Sequence, residues 1–428
     1  MMLLACFLAS LALVLALPLD ARITAQLKDS VDQGLLTPDI TFRLSDYGHG
    51  QHSFDMYSEC VGLGTDLGNT DQTVLYRMIA TPYIDLGGTM RKGVHHETPC
   101  KDLVEAIESS PRANFPYFRY WHGYMVYIRL VLPLLGLARM RILNALLLYG
   151  AVLYFCCELR GWFGWLAVPI VLLPNAVFSD LLTAPIVTVH ALPLACTYLT
   201  LALAMRILER DHGVGEDLFV FAFLSGAVYN FISLLFTPQL TPAWLAFLCL
   251  AAWIRWGKSG SPSRAILLAA GIVVAWFSGY ALTWITKWAL AVAMLGRSAA
   301  LNNVSSAASG VGYDSHNLPG IHRLFHPTLM ALGRHYTYLV LMSFALAVAI
   351  LIFRSRRGHF AKDRIRNWLL LQLPAVIVIG WTEIMRYHSV EHFVFAQRAL
   401  FLLVILPFLA LLGPPEESSE AREAIANP

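Results

Sequence analysis

Ionisable side chains crowd residues 383–398, immediately before the last long apolar run of the chain. The candidate ligands among them are Glu383, Arg386, His388, His392 and Arg398. Charged groups beside hydrocarbon are costly, so they usually mark a site or pair with one another. Arginine and histidine in this setting could hold a phosphate through charge-assisted hydrogen bonds. The alternative is a hairpin in which Glu383 and Glu391 neutralise the arginines.

A second group of candidates follows the first apolar run and contains Asp46, Asp55 and Glu59. Asp55 and Glu59 are four residues apart, so a helix would place both on one face. Two carboxylates in one site can have their pKa values pushed apart, and the ionised one can act as a general base. We therefore expect Asp55 to be a base assisted by Glu59, with Asp46 as the alternative base. The competing interpretation is a solvated loop with ordinary surface acids.

Aromatic residues crowd positions 117–127, as is typical of the interface between membrane and water. Arg119, His122 and Arg129 lie among or just after them. These residues could bind a lipid phosphate, or the arginines could simply extend from an aromatic belt toward water. Lys287, between two tryptophans near the end of another apolar run, has the same two interpretations.

Seven cysteines are present, and five of them lie in apolar runs, where packing is their usual role. Cys60 and Cys100 instead share the first long polar stretch. If that stretch faces an oxidising compartment, the two can form a disulfide, the alternative being two unpaired thiols.

Metal binding has weak support in the sequence. His388 and His392 have the i, i+4 spacing that can hold a metal from one helix face, but no third and fourth ligands are identified. No metal-binding residues are therefore assigned, and a divalent cation stays open as a cofactor.

Composition identifies the class of protein. Of the 428 residues, 57% are hydrophobic and 14% are charged, and the mean hydropathy is +0.58. Soluble proteins have about 45–50% apolar and about 25% charged residues. The sequence therefore predicts an integral membrane protein. The net charge of +3 comes from short basic blocks, so nucleic acid is not an expected partner.

Apolar runs long enough to span a bilayer, about 17–25 residues each, set the expected fold. They lie near 2–19, 141–158, 162–179, 186–205, 217–236, 241–255, 265–286, 337–353, 367–382 and 397–413. We expect an all-α integral membrane protein with about ten transmembrane helices and two large extracytoplasmic loops. The amphipathic segment 121–138 contains Arg129 and Pro133 and is expected to lie on the membrane surface.

Basic residues set the expected orientation, because short cytoplasmic loops hold an excess of lysine and arginine. Loops 206–217, 254–264 and 353–366 are then cytoplasmic. The first helix is expected to be a retained signal-anchor, with a cleaved signal peptide as the alternative. The predicted organisation is 1–19 first transmembrane helix, 20–138 extracytoplasmic loop with surface helix, 139–291 transmembrane helices 2–7, 292–336 second extracytoplasmic loop, 337–413 transmembrane helices 8–10 and 414–428 cytoplasmic disordered tail.

The order of these segments resembles a known superfamily. A first helix, a large acidic outer loop, a surface helix leading into "ARMRILNALL" and many further spans with basic inner loops resemble the GT-C polytopic glycosyltransferases. The segments "YFRYWHGYMVYIRLVLPLLGLARMRILN" and "MRYHSVEHFVFAQRALFLL" also resemble those of uncharacterised bacterial envelope proteins. The resemblance implies a polyprenyl-phosphate-linked sugar as donor, a catalytic aspartate in the first outer loop and inversion at the anomeric carbon.

The expected function is sugar transfer to a cell-envelope glycan or lipid acceptor on the extracytoplasmic face of the inner membrane. In that scheme Asp55 is the general base, and the arginines, histidines and Lys287 hold the departing lipid phosphate. The main alternative is a transporter or flippase of a lipid-linked or envelope precursor, which would bind its substrate near the midplane. An acyltransferase using His190 and a non-catalytic assembly protein are further alternatives.

Overall fold

Helices make up most of the chain because apolar segments in a bilayer must satisfy their backbone polar groups internally. The computed structural model describes residues 2–38, 56–86, 99–109, 112–178, 181–256, 261–297, 320–356, 362–386, 389 and 398–414. The helices before the long bundle are α1 Met2–Ala16, α2 Asp20–Asp32, α3 Met56–Gly64, α4 Val74–Ala80 and α5 Pro99–Ser109. Those of the bundle are α6 Tyr124–Phe163, α7 Ala167–Phe178, α8 Thr188–Arg210, α9 Glu216–Ile232, α10 Leu240–Trp256, α11 Pro262–Leu295, α12 Gly320–Arg356, α13 Lys362–Leu370, α14 Ala375–Ile384 and α15 Leu402–Leu412.

The described residues contain five helices that are long and apolar enough to cross a membrane. They are Tyr124–Phe163, Thr188–Arg210, Pro262–Leu295, Tyr336–Arg356 and Asp363–Ile384. A sixth is reached if α1 and α2, which are bent by 77° from one another, count as one span. An all-α membrane protein is thus confirmed. A helix covers at least part of each of the ten predicted runs, but the count of ten and the loop layout stay predictions because several of these helices are short.

Glycines interrupt two of the long helices. Gly136 interrupts α6 with φ 73°, near the point where the sequence predicts a surface helix to give way to a span. In the predicted second loop, α11 extends to Leu295 and α12 begins at Gly320, with a further break at Gly333. Both glycines have positive φ, a conformation that other residues adopt at a cost.

Helices α9 and α11 lie in close backbone contact at two glycines. A Cβ at Gly226 would lie 2.1 Å from the carbonyl oxygen of Trp276, and a Cβ at Gly279 would lie 1.9 Å from that of Phe223. Small residues at such positions let membrane helices approach closely. Helix α10 packs against both α8 and α11 and is buried along most of its length, so it forms the centre of the bundle.

A second layer covers one end of the bundle. It comprises residues 20–116 as far as they are described, and we call it the cap layer. A two-stranded antiparallel sheet within it pairs β1 Pro82–Tyr83 with β2 Phe115–Pro116. The disulfide Cys60–Cys100, which the sequence predicts, joins α3 to α5. The cap layer shares a hydrophobic core with α1, the first turns of α6 and the start of α8.

Replacing Gly279 with alanine should separate α9 from α11. The added methyl group would collide with the Phe223 backbone, which cannot move aside as a flexible side chain does. We expect a loss of about 1–3 kcal/mol in the free energy of unfolding, as for other overpacked cores. The measurement is the thermal midpoint of the purified protein in detergent.

Gly150→Ala is the matched control, because Gly150 lies in α6 with no atom near the added Cβ. Alanine there should leave the midpoint unchanged or raise it, since alanine favours helix. A Gly279→Ala protein that melts at or above the wild-type midpoint would show that the two backbones are not in close contact.

Candidate functional site

Four buried charges join the cap layer to the bundle. Asp20 begins α2, Asp66 follows α3, Arg77 lies in α4 and Arg129 lies in the second turn of α6. All four are 8% exposed or less. Each arginine lies within 4 Å of both carboxylates, and the shortest pairs are Arg77 Nη2 to Asp66 Oδ2 at 2.7 Å and Arg129 Nη2 to Asp20 Oδ2 at 2.9 Å. We call this group the ion cluster.

The ion cluster also terminates α1. Arg77 Nη1 donates to the Leu15 carbonyl at 3.0 Å, and Arg129 Nε donates to the Val14 carbonyl at 3.2 Å. Cations that donate to the last carbonyls of a helix satisfy acceptors that the helix leaves open. Arg129, predicted from the sequence as a phosphate ligand, is therefore engaged with Asp20 and α1, which favours a structural role.

Glu59 lies away from the ion cluster and caps another helix. Its carboxylate accepts from the Thr188 backbone N–H at 2.6 Å and from the Thr188 hydroxyl at 3.1 Å. Thr188 begins α8, so the negative charge lies at the positive end of that helix dipole. Since Glu59 is fully buried there, its geometry also favours a structural role over the predicted assistance to a base. Asp46 and Asp55, the predicted bases, lie outside the described residues.

A continuous wall of rings lies between the cap layer and the bundle. Its members are Tyr83, Tyr117, Tyr120, His122, Tyr124 and Trp284, and we call it the tyrosine wall. Tyr117 is at its centre, with ring centroids 6.1 Å from Tyr83, 5.9 Å from Tyr120 and 5.2 Å from His122. Tyr120 continues the wall to Trp284 at 6.2 Å.

His122 holds part of this wall in place. Its Nε2 lies 2.7 Å from the Tyr117 carbonyl, which can only accept, so Nε2 carries the proton. Burial, and then the charge of Lys287, lowers the pKa of His122 to about 3, so the ring is neutral and Nδ1 accepts from the Tyr124 hydroxyl at 2.7 Å. The predicted phosphate ligand therefore contributes positioning of Tyr117 and Tyr124, without a positive charge.

Lys287 and Arg119 reach the tyrosine wall from different elements. Lys287 Nζ is fully buried, donates to the Met78 carbonyl at 2.8 Å and to the Thr81 hydroxyl at 2.9 Å, and lies 5.2 Å from the Trp121 ring centroid. It thereby joins α11 to the end of α4. The Arg119 carbonyl accepts from the indole of Trp284 at 2.7 Å, and its side chain hydrogen-bonds Tyr120.

Carboxylates that were not among the predicted site residues lie on the cap side of the wall. Asp85 follows β1 and Asp102 lies in α5, and they are 3% and 4% exposed. The Tyr83 hydroxyl is buried and has no hydrogen-bond partner. Burial raises the pKa of Tyr83 well above its usual value, and the nearby Tyr57 and Asp102 add to the rise. The sheet sets this arrangement, because the Asn114 side chain beside β2 accepts from the Asp85 backbone N–H at 3.0 Å.

The described charged residues that follow residue 382 make contacts at two separate places. Glu383 accepts from the Thr328 N–H at 3.2 Å and hydroxyl at 2.6 Å and pairs with Arg386 at 3.7 Å, as in the self-paired alternative. Arg398 contacts His190 Nδ1 at 3.3 Å and lies 5.0 Å over the Phe236 ring. His388 and His392 lie outside the described residues.

Of the predicted lipid-phosphate residues, the structure thus brings together Arg119, His122 and Lys287. Arg129 lies in the ion cluster, and the described members of 383–398 make separate contacts. Among the described residues, no group of three or more histidine, cysteine or acidic side chains could hold a metal ion. No protein-family model, curated protein or solved structure matches the chain.

Asp66 should give folding stability a characteristic pH dependence. Burial raises the pKa of Asp66 to about 6, against the opposing effect of Arg77 and Arg129. The folded state then holds this proton more tightly than the unfolded chain, whose aspartates have a pKa of about 3.9. The contribution of Asp66 to stability therefore rises as the pH falls, by about 1 kcal/mol between pH 7 and pH 5.

The measurement is thermal unfolding in detergent at both pH values, for wild type and for Asp66→Asn. Between pH 7 and pH 5, the thermal midpoint of wild type should rise relative to that of the variant, because asparagine takes up no proton. Asp71→Asn is the control, since Asp71 is an exposed partner of Arg112, and it should show the wild-type dependence. If the midpoint of wild type instead fell relative to that of Asp66→Asn at pH 5, the arginines would affect the pKa of Asp66 more strongly than burial does.

Proposed function

We propose that this chain is a GT-C-type membrane glycosyltransferase that moves a sugar from a polyprenyl-phosphate donor to an envelope glycan or lipid acceptor. The observation that supports it is the tyrosine wall, where the buried acids Asp85 and Asp102 and the cations Arg119 and Lys287 lie near one set of rings. Acids suit deprotonation of an attacking hydroxyl, cations suit a leaving phosphate, and aromatic faces suit the apolar side of a sugar or isoprenoid.

In the proposed reaction, the acceptor hydroxyl oxygen forms a bond to the anomeric carbon of the donor sugar. The bond between that carbon and the phosphate oxygen breaks, and its electrons leave with the polyprenyl phosphate. The hydroxyl proton passes to a carboxylate of the first polar loop. Inversion at the anomeric carbon follows from the resemblance to the superfamily.

Three aspartates are candidates for the base. Asp55 and Asp46 come from the sequence pattern, and Asp85 joins them because its carboxylate is buried near the unpartnered Tyr83 hydroxyl. Arg119 is the cation best situated for the leaving phosphate, because its side chain already lies on Tyr120.

The proposed site faces the extracytoplasmic side of the inner membrane. The basic segments 206–217, 254–264 and 353–366 support this orientation, because short cytoplasmic loops hold an excess of lysine and arginine. Arg210 lies at the end of α8 opposite Thr188, which contacts the cap layer. A disulfide within the cap layer also fits an oxidising compartment.

The test is consumption of labelled polyprenyl-phosphate sugars by the purified full-length protein in liposomes. We expect one of Asp46→Asn, Asp55→Asn and Asp85→Asn to reduce turnover by about 100-fold or more, as is usual for loss of a general base. Asp71→Asn, an exposed substitution in the same layer, should retain wild-type turnover. Turnover is compared only between proteins whose thermal midpoints are equal.

Outcomes that contradict the proposal are equally definite. If wild type neither binds nor consumes any member of the donor panel, glycosyl transfer is wrong and transport of a lipid-linked precursor is measured next. If wild type is active but all three aspartate variants keep full turnover, the enzyme class stands and the base does not belong to the first polar loop.

A further inference from the structure

A cavity of about 350 Å³ lies at the end of the bundle opposite the cap layer. It opens between the turn that joins α8 to α9 and the facing ends of α10 and α11. The lining residues that matter here are Asp211, His212, Trp253, Trp256, Arg264 and Leu268. None of them belongs to the tyrosine wall or to the ion cluster.

The length of α8 separates this cavity from the candidate site. Thr188 at its beginning contacts Glu59 of the cap layer, and Arg210 at its end adjoins the cavity. Those 23 residues correspond to roughly 35 Å at about 1.5 Å per residue. A ligand in the cavity could not contact the tyrosine wall.

The polar side of the cavity holds one carboxylate, one imidazole and one guanidinium. Asp211 Oδ1 lies 2.7 Å from Nε of Arg210, an arginine that also pairs with Asp217. Arg264 lines the cavity, and the buried Nδ1 of His212 has no hydrogen-bond partner. His212 has φ 47°, in the left-handed region, so the tight turn directs this imidazole at a cost in backbone strain.

A further cation lies behind the cavity wall. The Arg255 guanidinium is 5.3 Å from the ring centroid of Trp256 and 5.4 Å from that of Trp162. Its Nε and Nη1 are buried and make no hydrogen bond. Buried donors without partners are costly, and an anion bound nearby would lower that cost.

The other side of the cavity is apolar. Cys249, Ala252, Ala265 and Leu268 line it where α10 and α11 continue into the bundle. The Arg264 guanidinium and the His212 imidazole beside this apolar lining match a molecule with an anionic head and an apolar body. Tryptophans at this level, such as Trp253 and Trp256, suit the boundary between the two.

We propose that this cavity binds a phosphate ester, with the headgroup of an anionic phospholipid as its source. His212 Nδ1 and the Arg264 guanidinium donate to the phosphate oxygens, and the rings of Trp253 and Trp256 pack against the glycerol. The apolar lining favours a lipid over a free phosphate ester, which would leave that surface uncovered. This inference does not depend on the proposed function.

The test is titration of the delipidated full-length protein with phosphatidylglycerol, followed by native mass spectrometry. Arg264→Gln and His212→Asn should each weaken binding about tenfold, the usual effect of losing a charge-assisted hydrogen bond. Asparagine is chosen at 212 because it tolerates positive φ. Arg354→Gln, an equal charge change on the exposed end of α12, should bind as wild type does.

Two further titrations distinguish the sources of the phosphate. Phosphatidylcholine should bind more weakly than phosphatidylglycerol, and glycerol 3-phosphate should not compete at similar concentrations. If glycerol 3-phosphate competes effectively with wild type and this competition is lost in Arg264→Gln, the cavity is still a phosphate site. Its ligand is then a soluble phosphate ester and not a lipid. The inference is overturned if both cavity variants bind phosphatidylglycerol as wild type does, or if Arg354→Gln weakens binding equally. Arg264 is exposed, so its removal should leave the fold intact.

Discussion

The ion cluster of Asp20, Asp66, Arg77 and Arg129 is the constraint on which the arrangement at the capped end depends. It joins α2, the turn after α3, α4 and α6, and both of its arginines also donate to the last carbonyls of α1. Removing one member would leave a buried charge without its partner, at a cost of about 3–5 kcal/mol. Because the cluster lies at the bend of 77° between α1 and α2, it fixes where the chain leaves the first helix and enters the cap layer.

The rest of the contact between cap layer and bundle follows the same physical rule, since backbone groups at helix ends are satisfied by residues from the other layer. Glu59 caps α8, and Lys287 donates to a carbonyl in the last turn of α4. The indole of Trp121 donates to the Thr283 carbonyl at 2.7 Å. These contacts hold the tyrosine wall between two rigid layers, which is the setting that a preorganised site requires.

The sequence predicted those features that depend on local pattern. Apolar runs indicated an all-α membrane protein, and the cysteine distribution indicated the pair Cys60 and Cys100. The aromatic stretch at 117–127 pointed to Arg119 and His122, which lie together with Lys287. The number of spans was harder to predict from the sequence. A helix such as Leu240–Trp256 has only 17 residues and is buried by its neighbours, and hydropathy alone does not show whether such a helix crosses the bilayer.

Partners distant in the chain could not be predicted from pattern. Glu59 meets Thr188 across 129 residues, and Arg129 meets Asp20 across 109. Asp85 was missed because its surroundings come from the pairing of two very short strands. The motif "PYID" before a glycine pair was the available signal, since an acid that follows a β-type run often lies at the end of a strand.

The proposed reaction requires a polyprenyl phosphate to bind at the tyrosine wall. The most direct measurement is photo-crosslinking with a polyprenyl phosphate that carries a diazirine next to its phosphate, followed by mapping of the labelled peptides. We expect adducts in segments 117–122 and 284–288 that disappear when unlabelled polyprenyl phosphate is added. Adducts spread over exposed apolar positions such as Leu134, Leu146 and Leu153, and insensitive to that competition, would contradict it.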